Sequence, residues 1–239
     1  MKRAGRRTIL EVPKERRRLV GKHLWRYMLV AAGFAVAAIL SMVWVSPLWR
    51  GFFAGVYLTA FVALVGHSFT LGGSHFRRMG AEAERWTSQE LRKLRGWWVI
   101  DAVEFADRDI DHLAVGSRQV LAVETKWTSR AVTVDSDGVR GLWCDGLHHA
   151  ERAARRARQL LRSTGVEVDV IPVLVLWGPE VPRIDGGYRR IGDVRVLIGR
   201  QSKDWRIRLN DHTDQKSVVG ARPAIENYVR AFEDARTGG

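Results

Sequence analysis

Three charged side chains interrupt two otherwise apolar segments: Asp111 in "IDHLAVG", and Glu124 and Lys126 in "VLAVETKW". In an extended strand successive side chains point to opposite faces, so Glu124 and Lys126, two positions apart, project side by side. Asp111 opens the preceding segment, and the short "GSR" connection folds it back beside them. Two carboxylates and an ammonium group at one sheet edge form a site for a hard divalent cation, because carboxylate oxygens suit Mg²⁺ and such an ion keeps water positions open. The lysine can orient or help deprotonate an attacking water, or offset charge developing on a phosphate. The plainer alternative is a structural ion pair of Lys126 with Glu124 or Asp111. Residue types alone favour it, since Asp-x₁₂-Glu-x-Lys is a loose pattern.

The elements that must position these residues are legible in the periodicity. In residues 76–96, Phe76, Met79, Ala83, Trp86, Leu91 and Leu94 recur at spacings near 3.6, which predicts an amphipathic helix ending near Gly96. Strands are expected at 97–105, 110–116 and 119–127, joined by polar turns into a meander. "AVTVDSDGVRGLW" reads as a further strand pair turning at Asp137-Gly138. Residues 145–164 are rich in Ala, Arg and Leu, with Asp145 as N-cap and Gly165 as stop. Continuous apolar runs at 168–177 and 194–198 suit strands covered on both faces. A last helix starts around Pro223 and carries Ile225, Tyr228, Val229 and Phe232 on one side. The order of elements gives an α/β fold, a mixed central sheet flanked by helices.

The first third is different. Residues 1–26 hold ten Lys and Arg against Glu11 and Glu15, so this tail supplies +8 of the chain's formal +13. Such a tail suits an anionic surface, phospholipid or nucleic acid. Residues 27–49 carry no charge, nor do residues 52–71 with His67 neutral. At ~1.5 Å per helical residue each can cross the roughly 30 Å hydrocarbon core. Joined through Arg50 and Gly51 they are expected to form a two-helix transmembrane hairpin over 27–72. Basic residues before 27 and at Arg77 and Arg78 then place the N-terminus and the domain over 76–239 in the cytoplasm of a multi-pass membrane protein. The single cysteine, Cys144, excludes an intramolecular disulfide.

"GAEAE" at 80–84, "IDHLAVG" and "VLAVETK", in that order, resemble the NERD (nuclease-related) domain, itself similar to the PD-(D/E)xK and Mrr-like nucleases. The resemblance implies a restriction-endonuclease-like fold in which Glu84, Asp111 and Glu124 bind Mg²⁺ or Mn²⁺ and Lys126 assists. Glu82 is the alternative to Glu84, and on a helix only one of the two faces the site. The family's Gly-x-x-Gly-Glu pattern has Ala83 in place of its second glycine here. Its later Asn-Pro-Leu-x-Gln motif corresponds to "DGLHHA" at 145–150, which puts His149 where the glutamine would be.

Around that site, His149, Arg152 and Arg156 are the candidate substrate-binding residues. Arg152, Arg155, Arg156, Arg158 and Arg162 read equally as a solvated helix face or as a phosphate-contacting surface. His112, pointing away from Asp111, is expected in the core. His148 and His149 diverge by about 100° and make no paired metal site. Trp97, Trp98, Trp127, Trp143 and Trp177 are expected in the core or at its rim. The expected function is metal-dependent hydrolysis of DNA phosphodiester bonds at a membrane, with nucleic acid and lipid as partners and a homo-oligomer admitted. The alternative is a catalytically weakened module that binds nucleic acid or a protein.

Overall fold

A computed structural model of the chain describes residues 46–71, 74–105, 109–210 and 220–237, with scattered positions between 29 and 43. The basic tail and part of the apolar run at 27–49 lie outside the described residues. The chain divides into two compact units, Arg7–Arg78 and a larger one that takes in Met79–Gly239.

In the smaller unit a helix α1 covers Pro47–Leu71, and Phe52, Leu58 and Val62 on it are exposed. Among the described residues no helix is long and apolar enough to cross a membrane. The expectation of a two-helix membrane hairpin is corrected to that extent.

Helix α2, Ser74–Leu91, leads into three strands, β1 (Trp98–Val103), β2 (Ile110–Val115) and β3 (Gln119–Trp127). Two-residue strands β4 (Thr133–Val134) and β5 (Val139–Arg140) follow, then helix α3 (Gly146–Ser163) and strand β6 (Asp169–Trp177). Strands β7 (Tyr188–Ile191) and β8 (Val194–Ile198) and helices α4 (Ser202–Asn210) and α5 (Ala221–Thr237) complete the unit. The six-stranded sheet runs β1-β2-β3-β6-β8-β7. It is antiparallel from β1 to β3, parallel from β3 through β6 to β8, and antiparallel again at β7. This is the mixed α/β sheet expected, and α2 stops at Leu91, a turn earlier than the periodicity predicts.

The sheet is apolar on both faces at its centre because helices cover both. One face packs Leu113, Val115, Val120, Ala122 and Val170 against Ala153, Ala157 and Leu161 of α3 and Ile225 of α5. The other packs Val99, Leu121, Val123, Val173 and Val175 against Leu91 of α2 and Trp205 and Leu209 of α4. Helix α3 buries Gly146, Ala150, Ala153, Ala154 and Ala157. Small side chains there let its axis lie close to the strands, and one added methylene at such a position would overpack the core. Asp145 caps the helix as expected, its Oδ1 accepting the amide of His148 at 3.0 Å, and Gly165 stops it at φ +76°.

Strand β7 and helix α4 were not anticipated. "YRRI" is a short edge strand whose arginines hide its alternation, a usual way of blunting a sheet edge. "SKDWRIRLN" has only Trp205 and Leu209 buried, too few apolar positions to display a helical period.

Candidate active site

Strand alternation builds the site. β2 and β3 pair from Val115↔Val120 to His112↔Val123, so Asp111 and Glu124 occupy the next opposing positions and share the face toward α3. The ladder stops there, and the Asp111 carboxylate takes over, its Oδ2 accepting the Thr125 amide at 2.7 Å. Lys126, two residues beyond Glu124 on the same face, donates to Glu124 Oε1 at 2.5 Å. His149, in the first turn of α3, brings Nδ1 to 3.5 Å from the same oxygen. The Asp145 cap fixes where α3 starts, and hence which of two adjacent histidines faces Glu124. His148 stays half exposed beside Glu151.

The electrostatics follow from crowding. Glu124 is buried, and Asp111 is half-buried beside it. Burial, then the charges of Glu124 and Glu84, hold the Asp111 carboxyl well above its ordinary pKa of 3.8. Burial alone would depress the Lys126 ammonium, but Glu124 and Asp111 outweigh it and raise its pKa above the ordinary 10.5. Glu84 is thus near enough to act on Asp111. Glu82 instead pairs with Arg85 at 2.9 Å, on an outer side of α2, so Glu84 is the one of the two acids whose charge acts on Asp111. Ala83 is fully buried, which accounts for a small residue at that position.

Among the described residues no group of three or more His, Cys, Asp and Glu side chains is gathered closely enough to hold a metal ion. Glu84, Asp111 and Glu124 are an electrostatic neighbourhood, with the Lys126 ammonium seated on Glu124. Their donors are nonetheless hard carboxylate oxygens, the type that Mg²⁺ and Mn²⁺ take. Burial is the first cause of the raised Asp111 pKa and the charges of Glu124 and Glu84 the next; a cation would relieve only the latter.

Arg152 and Arg156 follow His149 at helical spacing along α3, and both are half-buried. The Arg152 Nε is buried and has no hydrogen-bond partner among the described residues.

Behind the site, on the α2 face, lies a second polar cluster of which the sequence pointed only to His112 and Trp177. His112 is fully buried, as expected of a core histidine. Its Nδ1 lies 2.8 Å from Asp101 Oδ1. The other Asp101 oxygen accepts from Ser88 at 2.9 Å and Arg92 at 2.7 Å. Thr87 Oγ1 accepts from Thr125 Oγ1 at 3.1 Å and from the Trp177 indole at 2.8 Å. These bonds tie α2 to β1, β2, β3 and β6. No spacing rule would have found them, because the partners come from five separate elements.

Among the described residues Ala102 is the one positive-φ residue other than glycine, at +54°. It stands between the β1–β2 pairs Asp101↔His112 and Val103↔Ile110, which sets it opposite Asp111. Trp143, expected in the core or at its rim, is 66% exposed.

Residues 79–177 match the family model of the nuclease-related domain, NERD. The matched stretch holds every candidate site residue from Glu84 to Arg156 and ends with β6. No curated protein and no solved structure matches the chain.

Proposed function

We propose that the nuclease-related stretch 79–177, with the strands and helices that complete its sheet, hydrolyses phosphodiester bonds of DNA with the help of Mg²⁺ or Mn²⁺. The observation that carries this reading is the meeting of Asp111, Glu124 and Lys126 on one face, with Glu84 acting electrostatically on Asp111. Glu84, Asp111 and Glu124 would hold the ion, which when bound supplies an activated water and charge for the phosphate. The charges of Glu124 and Asp111 raise the Lys126 pKa, and its ammonium would position water and offset negative charge on the phosphate. The buried Arg152 Nε is an unsatisfied donor that a phosphate oxygen would satisfy, with His149 and Arg156 extending the contact along α3.

Cleavage of plasmid and of single-stranded DNA by the purified chain, with Mg²⁺ or Mn²⁺ and with chelator, tests the reading. Activity that needs the cation and is lost in Glu124→Ala and Lys126→Ala supports it; activity that survives both substitutions removes the assigned mechanism.

A second reading is a module that binds nucleic acid without cutting it. The tight Lys126–Glu124 pair favours it, because an ammonium on that oxygen competes with a cation for it. Calorimetric titration with Mn²⁺ separates the two, since the binding module need take up no ion.

Membrane attachment by the first 72 residues belongs to the same proposal, with the NERD-like domain in the cytoplasm. Its support is the uncharged runs at 27–49 and 52–71, the basic tail, and the exposed Phe52, Leu58 and Val62 on α1. Cell fractionation with and without residues 1–72 tests it.

A further inference from the structure

Between β3, which carries Glu124 and Lys126, and α3, which carries His149, the chain makes an excursion from Thr128 to Asp145. It is firmly built. The Thr128 amide donates to the Trp177 carbonyl at 2.9 Å, and the Arg130 amide donates to Thr128 Oγ1 at 3.0 Å. At the tip, Asp135 Oδ1 accepts the amides of Asp137 and Gly138, each at 3.0 Å. Where the strands of the excursion close, Gly141 has φ +93°, and a Cβ there would stand 2.3 Å from the Ala131 carbonyl oxygen. Only glycine lets the two arms approach so closely.

That closure brings Arg130 and Trp143 together, with the guanidinium carbon 3.3 Å from the centroid of the indole ring. One face of the ring is covered by a cation, yet the residue as a whole remains 66% exposed. Its neighbour Leu142 packs against the cluster containing Leu174 and Leu176, the residues in register with Glu124 and Lys126. Cys144, next along, lies within electrostatic reach of Lys126. Trp143 therefore sits on the site's own face of the sheet, at its rim.

Resting on the reading of the site as one for nucleic acid, we propose that the free face of the Trp143 indole, backed by Arg130, stacks an unpaired base next to the phosphate held at Lys126, so that the preferred substrate is single-stranded or locally opened. A rigid aromatic surface with an arginine behind it offers what an unstacked base and its phosphate need together. A base within an intact duplex is already stacked and gains little from it.

The experiment is fluorescence anisotropy of the full chain with one labelled oligonucleotide, single-stranded and as its duplex, in Ca²⁺ buffer. Trp143→Ala is expected to weaken single-strand binding about five- to tenfold and duplex binding by less than about twofold. Trp143→Phe, which keeps an aromatic face, should retain most of the single-strand affinity. Equal affinity of wild type and Trp143→Ala for the single strand overturns the proposal, as does an equal loss on both forms or a Phe variant as weak as the Ala variant. If the wild-type chain binds neither form, the nucleic-acid reading itself fails and takes the platform with it.

Discussion

The Asp111 carboxylate accepts the backbone amide of Thr125 at the point where the β2–β3 ladder ends. A side chain thus does the work of a strand carbonyl, and the same carboxyl is pressed by burial and by Glu124 and Glu84. A carboxylic acid with a raised folded-state pKa favours the fold while protonated. Its contribution is present below the ordinary 3.8 and is lost as pH rises toward the raised value. Asp111→Asn keeps an oxygen for the Thr125 amide and removes the charge. The melting temperature at neutral pH, in chelator, is expected to rise by ~2–4 °C per kcal/mol relieved, while any cation-dependent cleavage disappears. A variant that melts lower than wild type at pH 7 but not at pH 4 contradicts this account.

Lys126 compensates a buried charge. The Glu124 side chain is 9% exposed and that of Lys126 24%, so Lys126→Met leaves the carboxylate without its ammonium. Denaturant titration in chelator should show a loss of about 3 kcal/mol, typical of breaking a buried pair from one side. The double variant Lys126→Met with Glu124→Gln should lose less than Lys126→Met alone. Additive losses would mean that the two groups do not interact.

Asp101 behaves oppositely to Asp111. Burial works against its charge, but His112, Arg92 and Ser88 together outweigh it and lower its pKa below the ordinary 3.8. Its contribution is therefore complete above that value and lost as pH falls through the lowered one. Asp101→Asn should cost about 1–3 kcal/mol at pH 7 and flatten the acid limb of the stability curve below about pH 4. Circular-dichroism melts over pH 2–7 check both.

Ala102 holds φ +54° directly across from Asp111, a conformation that costs an L-residue of order 1 kcal/mol and costs glycine nothing. Ala102→Gly is expected to be neutral or stabilising by up to about 1 kcal/mol, against the usual loss for glycine in a strand. Chemical denaturation gives the sign. An Ala102→Val variant in the same experiment should be clearly destabilised.

Much of this was legible in residue order because the signals were local. The run at 194–198 became β8, and Asp145 and Gly165 bracket α3. The two-residue step from Glu124 to Lys126 put both on one face as strand geometry requires. What remained hidden depends on partners far apart in sequence. That Glu84 acts on Asp111 while Glu82 pairs with Arg85 is settled by neighbours that do not enter a helical period. Trp143 was expected in the core or at its rim, and it lies at the rim with most of its surface exposed. Its exposure follows from the close arms at Gly141, which no hydropathy pattern encodes.

The unbroken parallel register of β3 with β6, from Gln119↔Asp169 to Trp127↔Trp177, has a kinetic corollary. The amide protons of Glu124 and Lys126, which alternation turns toward β6 while that of Thr125 turns to Asp111, should exchange with solvent deuterium only when the whole domain opens, making them among its slowest. A residue so anchored cannot be switched by local fraying. Control of the chemistry would then have to come from what is admitted to the groove, not from loosening its floor.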